Sequence, residues 1–262
     1  MVLNIKKRNI LTYILTFYYW CLVSFSIILT WLIGFGIQYI VDEKSFGKMY
    51  ENICKYIQYF GMTIPGFWNI QIKDLRYNKS YKKQYVIIAN HISYVDSFAM
   101  SLLPFPKKYM IASIYSQIPI FGWMCKRSGY IFVDEKNKKS RENAVMNSIL
   151  KMDDGSSIVI YPEGRREKIP YKLLKFKTGA FRIAQKLKIP ILPVILKGTS
   201  DAMDLKGHCY PANMEMIILN PVKIPSSSNP LQNWNFILKS ILQVRQKLTQ
   251  YGVNKQLKCC QI

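Results

Sequence analysis

The 262-residue chain carries 37 Lys and Arg against 15 Asp and Glu, a formal net charge of +22, and 50% of its residues are hydrophobic. That length accommodates one catalytic-sized domain with an appendage, and that hydrophobic content excludes a disordered basic tail. The charge calls for an anionic partner, such as nucleic acid, an acidic membrane surface or a phosphorylated substrate. With His91 and His208 as the only two histidines, a zinc site built mainly from histidine is excluded.

In chain order, the first feature is an uncharged run from Ile10 to Ile40, with Lys6, Lys7 and Arg8 before it and Lys44, Lys48 and Lys55 after it. It is about twice the apolar core of a secretory signal, and it exceeds the roughly 20 residues that span a bilayer. Gly34 and Gly36 offer a break near its end, so a single tilted span and a re-entrant helical pair both remain open. Basic residues on both flanks disfavour sending either flank across the membrane. The expectation for residues 1–65 is therefore a hairpin or in-plane anchor with both ends in the cytoplasm.

Residues 66–262 read as one α/β domain. Short apolar runs predict strands at Phe67–Ile72, Tyr85–Ala89, Tyr109–Ala112, Tyr130–Val133, Ser157–Tyr161, Ile191–Leu196 and Glu215–Leu219. Such runs suit strands covered on both faces. Helices are predicted at Val95–Leu103, Arg141–Met152 (with Ser140 as N-cap), Ala180–Leu187 and Leu231–Tyr251. Pro225 to Pro230 forms the loop before the last of these. The alternation points to an αβα sandwich with a mostly parallel or mixed sheet.

The six cysteines include no C-x-x-C pair and read as reduced, structural thiols, consistent with a reducing compartment. Nothing in the sequence calls for a metal or prosthetic group. Lys136, Lys138, Lys139 and Arg141 form one basic cluster, and Lys172, Lys175 and Lys177 a second, interleaved with Leu173, Leu174 and Phe176. These suit an anionic membrane surface or an acidic carrier protein. His208 reads as a loop residue without a role.

The chemistry concentrates in Asn90-His91-Ile92-Ser93-Tyr94-Val95-Asp96-Ser97, directly after an apolar strand. Residues five apart on a continuous helix diverge by about 140°. His91 on the turn and Asp96 in the first helical turn would instead let the imidazole fold back. The carboxylate would then fix one ring nitrogen and leave the other to take a proton. A helix-capping His and Asp is the alternative.

This segment resembles the H-x4-D block of the glycerolipid acyltransferases typified by 1-acylglycerol-3-phosphate acyltransferase. Gly129-Tyr130-Ile131-Phe132-Val133-Asp134 resembles that family's second block. Tyr161-Pro162-Glu163-Gly164-x-Arg166 is similar to its third, and Ile189-Pro190-Ile191-Leu192-Pro193-Val194 to its fourth. Ile118-Pro119-x-x-Gly122-Trp123 and Phe176-Lys177-x-Gly179-Ala180-Phe181 also fit, in family order. The resemblance implies acyl transfer from a thioester, on coenzyme A or acyl carrier protein, to the sn-2 hydroxyl of lysophosphatidic acid. His91 would be the base, oriented by Asp96. Glu163, Gly164, Arg165, Arg166 and Lys177 would bind the acceptor. The enzyme would work at the cell's inner membrane, facing the cytoplasm.

Three positions depart from the family pattern. Glu135 stands where a basic residue often follows the aspartate, Ser113 where a lysine is common, and Arg165 in place of the usual threonine. A different lysophospholipid or glycolipid acceptor is therefore an alternative. A basic nucleic-acid-binding protein explains the charge but neither the apolar N-terminus nor the ordered blocks, so no nucleic-acid partner is expected. A hydrolase with Ser93 or Ser97 as nucleophile lacks a G-x-S-x-G elbow.

Overall fold

The computed structural model describes residues 9–63, 66–79, 84–152, 154–166, 173–225 and 230–250. Lys6 to Arg8, Lys172, Cys259, Cys260 and most of the loop between Pro225 and Pro230 lie outside these residues.

The elements run α1 (Ile10–Ile37), α2 (Glu43–Thr63), β1 (Trp68–Asp74), β2 (Val86–Ala89), α3 (Val95–Ser101) and β3 (Lys107–Ala112). A 3-10 turn (Ser113–Gln117), α4 (Phe121–Arg127), β4 (Ile131–Val133), α5 (Lys138–Lys151), β5 (Ser157–Ile160) and α6 (Gly179–Leu187) follow. The chain then forms β6 (Ile191–Lys197), α7 (Thr199–Ala202), β7 (Ala212–Ile218) and α8 (Pro230–Leu248).

One seven-stranded sheet has the order β1-β7-β6-β2-β5-β3-β4. Its pairings are parallel except for β6 with β7. The expected α/β architecture and all seven predicted strands are present, with ends shifted by a few residues.

The two-sided burial of the central strands follows from their side-chain period of two. Val86 and Ile88 enter one core with Phe181 and Ile183 of α6, Val145 of α5 and Val244 of α8. Ile87 and Ala89 enter the other with Val95 and Met100 of α3, Ala202 of α7, and Tyr19 and Val23 of α1. One correction concerns a helix end. Asn137, not Ser140, caps α5: its side chain accepts from Ser140 N at 3.1 Å. The Ser140 hydroxyl instead accepts from Asp134 N.

α1 is continuous through Gly34 and Gly36, without the break that these glycines offered. Gly34 is a packing notch, since a Cβ there would overlap the ring of Tyr50 on α2. Asn9 caps the helix by accepting from Thr12 N at 3.0 Å. The hydroxyls of Thr16, Ser26 and Thr30 donate to carbonyls of their own helix, which satisfies them on an otherwise apolar surface. Buried residues at Thr12, Tyr19, Val23, Thr30 and Gly34 form one stripe along the helix. Phe17, Phe25, Ile28, Leu32 and Ile33 are exposed. α1 is long and apolar enough to cross a membrane.

Candidate active site

The strands β2, β5, β3 and β4 are neighbours and parallel. The loops leaving their C-terminal ends therefore emerge along one edge of the sheet, where α/β folds commonly build sites. They carry, in that order, His91, the 161–166 turn, the 3-10 turn with Tyr115, and Asp134 with Glu135.

Asn90 fixes the start of the first loop. Its side-chain amide donates to Leu196 O and accepts from Leu196 N, both at 2.9 Å. The next residue is thereby pinned beside β6. His91 Nδ1 lies 2.8 Å from Asp96 Oδ2. The same oxygen accepts from Ile92 N at 2.7 Å and Ser93 N at 2.9 Å. Asp96 is fully buried, and the His91 side chain is 11% exposed. Three donors converging on one carboxylate oxygen assign the Nδ1 proton to the Asp96 side, leaving the Nε2 lone pair as the basic position.

The 161–166 turn builds the other wall. Tyr161 stacks on the imidazole with ring centroids 3.9 Å apart and planes 13° from parallel. Burial, reinforced by the charge of Asp96, pushes the Tyr161 hydroxyl well above its ordinary value and keeps it neutral. Glu163 is buried and accepts from His91 N at 3.0 Å and Leu174 N at 2.7 Å. Its carboxylate thus ties the histidine backbone to the segment leading to Lys177. Arg166 Nη1 lies 3.5 Å from His91 Nε2, and its guanidinium lies over the Tyr94 ring at 3.9 Å. Its Nη2 donates to the Tyr115 hydroxyl at 3.3 Å. Tyr115 reaches this point because Gly122, at the start of α4, lets the chain approach the Ser116 carbonyl too closely for any Cβ.

The structure thus brings His91, Asp96, Glu163 and Arg166 into one cluster. Gly164 borders it at φ +77°, a left-handed conformation that favours glycine. Lys177 lies over Gly164, paired with Glu135. Arg165 is exposed. Ser93 is buried, and its hydroxyl donates to Met203 O at 3.0 Å, an arrangement that argues against a serine nucleophile there.

Tyr94 and Tyr115 were not legible as site components, nor was the pairing of Lys177 with Glu135. Tyr94 occupies an unspecified position between His91 and Asp96, and Tyr115 is brought in only by packing. His208 has more structure than a loop residue needs: its Nδ1 faces Asp204 Oδ2 at 3.0 Å, beside the Trp20 indole that donates to Gly207 O. Among the described residues, no group of three or more His, Cys, Asp or Glu is placed to hold a metal ion.

Residues 69–197 match the family model described as Acyltransferase. Among curated proteins, the chain is 28% identical over 145 residues to a 1-acyl-sn-glycerol-3-phosphate acyltransferase of Chlamydomonas reinhardtii, covering 55% of this chain and 41% of that protein. It is 30% identical over 146 residues to the Saccharomyces cerevisiae 1-acyl-sn-glycerol-3-phosphate acyltransferase, covering 54% and 48% respectively. The chain therefore spans less than half the length of these relatives. The crystal structure of the 1-acyl-sn-glycerophosphate acyltransferase PlsC from Thermotoga maritima superposes with a TM-score of 0.72. It covers 93% of this chain and 98% of that one at 19% identity, a likeness of fold.

Proposed function

We propose, from the match of residues 69–197 to the acyltransferase family model, that the chain moves a fatty acyl group from a thioester to the sn-2 hydroxyl of lysophosphatidic acid, giving phosphatidic acid. The single observation that carries the mechanism is the 2.8 Å contact of His91 Nδ1 with Asp96 Oδ2. His91 Nε2 takes the proton of the acceptor hydroxyl as its oxygen attacks the thioester carbonyl. The tetrahedral adduct then collapses, the C–S bond breaks, and the imidazolium returns the proton to the leaving thiolate. A thioester is already activated, so positioning and one base suffice without a covalent enzyme intermediate.

The donor is an acyl thioester on coenzyme A or acyl carrier protein, whose reacting groups are the same. Arg166, Arg165 and Lys177 supply cations for the acceptor's phosphate. Glu163 acts through the backbone of His91 as a positioning residue. The pairing of Glu135 with Lys177 favours a second reading, in which the acceptor is a lysolipid with a singly charged phosphodiester.

We place the enzyme on the inner membrane, with α1 as an anchor. Its buried stripe runs from Thr12 to Gly34 and holds the helix against the rest of the protein, which supports an anchor lying along the bilayer with both ends in the cytoplasm. Reporters fused at residues 2 and 262 should read the same face; opposite faces would refute this orientation.

The decisive experiment mixes the purified chain with a panel of lysolipids and with both donor types. Free thiol and product mass are then measured. Lysophosphatidic acid should give phosphatidic acid; thiol release that does not depend on any lysolipid rejects the function.

A further inference from the structure

An ion pair lies across Gly164. Lys177 Nζ contacts Glu135 Oε2, and a Cβ on Gly164 would strike both side chains. The backbone of each partner is anchored. Lys177 N donates to Pro162 O at 2.7 Å, and the Arg141 guanidinium donates to the Glu135 carbonyl at 2.7 Å. Gly164 adjoins Glu163, whose carboxylate holds His91 N. A carboxylate is therefore seated on a lysine one residue from the clamp on the His–Asp pair.

Building on the function proposed above, we propose that Glu135 is a specificity-determining residue whose carboxylate occupies Lys177 in the place of the acceptor's phosphate. Two oxyanions compete for one ammonium, so the acceptor must displace Glu135 to engage Lys177. A doubly charged phosphate monoester feels about twice the repulsion from Glu135 that a singly charged phosphodiester feels. Glu135 thus handicaps monoester headgroups relative to diesters. The side chains of Lys177 and Glu135 are 48% and 34% exposed. An exposed pair of this kind is weak and readily exchanged, so the selectivity is a bias of at most about five-fold rather than a block.

The test titrates the full chain, in neutral detergent micelles, with sn-glycerol 3-phosphate and with the diester glycerophosphoglycerol, by calorimetry. Glu135→Gln should tighten glycerol 3-phosphate by about two- to five-fold and the diester by less. In a Lys177→Met background that gain should vanish, as expected of a directly coupled pair. Unchanged or weaker glycerol 3-phosphate binding by folded Glu135→Gln overturns the proposal, as does a gain that persists without Lys177. Lysolipid turnover in the same preparation reports separately on the proposed function. A chain with this binding pattern that acylates no lysolipid keeps the role of Glu135 and loses the acyltransferase reading.

Discussion

At the scale of single residues, one oxygen of Asp96 holds both the imidazole and the turn that carries it, accepting from His91 Nδ1, Ile92 N and Ser93 N. Replacing His91 with Ala removes the proposed base but none of the backbone donors. Thiol release should fall by about 10²–10⁴-fold, while circular dichroism and the unfolding temperature stay near wild type. Glu163 behaves differently, because both its oxygens are committed to backbone N–H groups. Glu163→Gln turns an amide NH2 toward one of those donors and leaves a buried N–H unpaired, at a cost of about 1–3 kcal/mol. Lower thermal stability together with lower kcat is the expected signature; an enzyme with wild-type stability would show that Glu163 does not clamp His91. Asp74 shows the same logic in acid. The hydrogen-bonded Arg76 guanidinium, wholly buried, holds its carboxyl below the ordinary value of 3.8. A depressed pKa contributes stability above the unfolded value, and that stability is lost as pH falls through the folded value. As pH falls from about 4 toward about 2, below the ordinary carboxyl value, wild type should lose more unfolding temperature than Asp74→Asn, which starts lower at neutral pH.

The elements meet through small notches that tolerate no side chain. α1 and α2 close on each other where the Tyr50 ring covers Gly34, and Tyr50 is itself fully buried. The ring has nowhere to go, so Gly34→Val should force the two helices apart at a cost of about 1–3 kcal/mol. Scanning calorimetry in detergent should show this loss, whereas Gly36→Ala, with nothing within 4 Å of its Cβ, should be nearly neutral. The turn after β5 is likewise set by what runs beside it. Lys177 N donates to Pro162 O, and Leu174 N donates to Glu163. The segment 174–177 is thereby zipped onto the turn, and a displacement of either moves both.

On the scale of the whole molecule, the order β2-β5-β3-β4 turns loops that are far apart in the chain into neighbours along one sheet edge. Helix α1 joins the same body: Tyr19 and Val23 share a core with Ile87 and Leu192, while Phe17, Phe25 and Leu32 face outward. If the outward face enters lipid, membrane binding is mainly apolar and only secondarily electrostatic. A wash with about 1 M salt, where the screening length falls to about 3 Å, should leave the protein on vesicles. Phe17→Asp combined with Leu32→Asp should release it, and salt-driven release of the unaltered chain would count against α1 as the anchor.

The seven strands were legible because each is a local apolar run of two-sided period, and the apolar N-terminus because its length and lack of charge are local too. The resemblance of the H-x4-D block and the later blocks to a known family marked out His91, Asp96, Glu163, Gly164 and Arg166. What no local pattern could supply is which of these touch. Glu163 reaches His91 across 72 residues, Arg166 reaches Tyr115 across 51, and Lys177 reaches Glu135 across 42. Those meetings depend on strand pairing, which the sheet decides as a whole. Gly34 shows the same limit: a glycine in a sequence offers either a break or a close approach, and only the arrival of Tyr50 decides which.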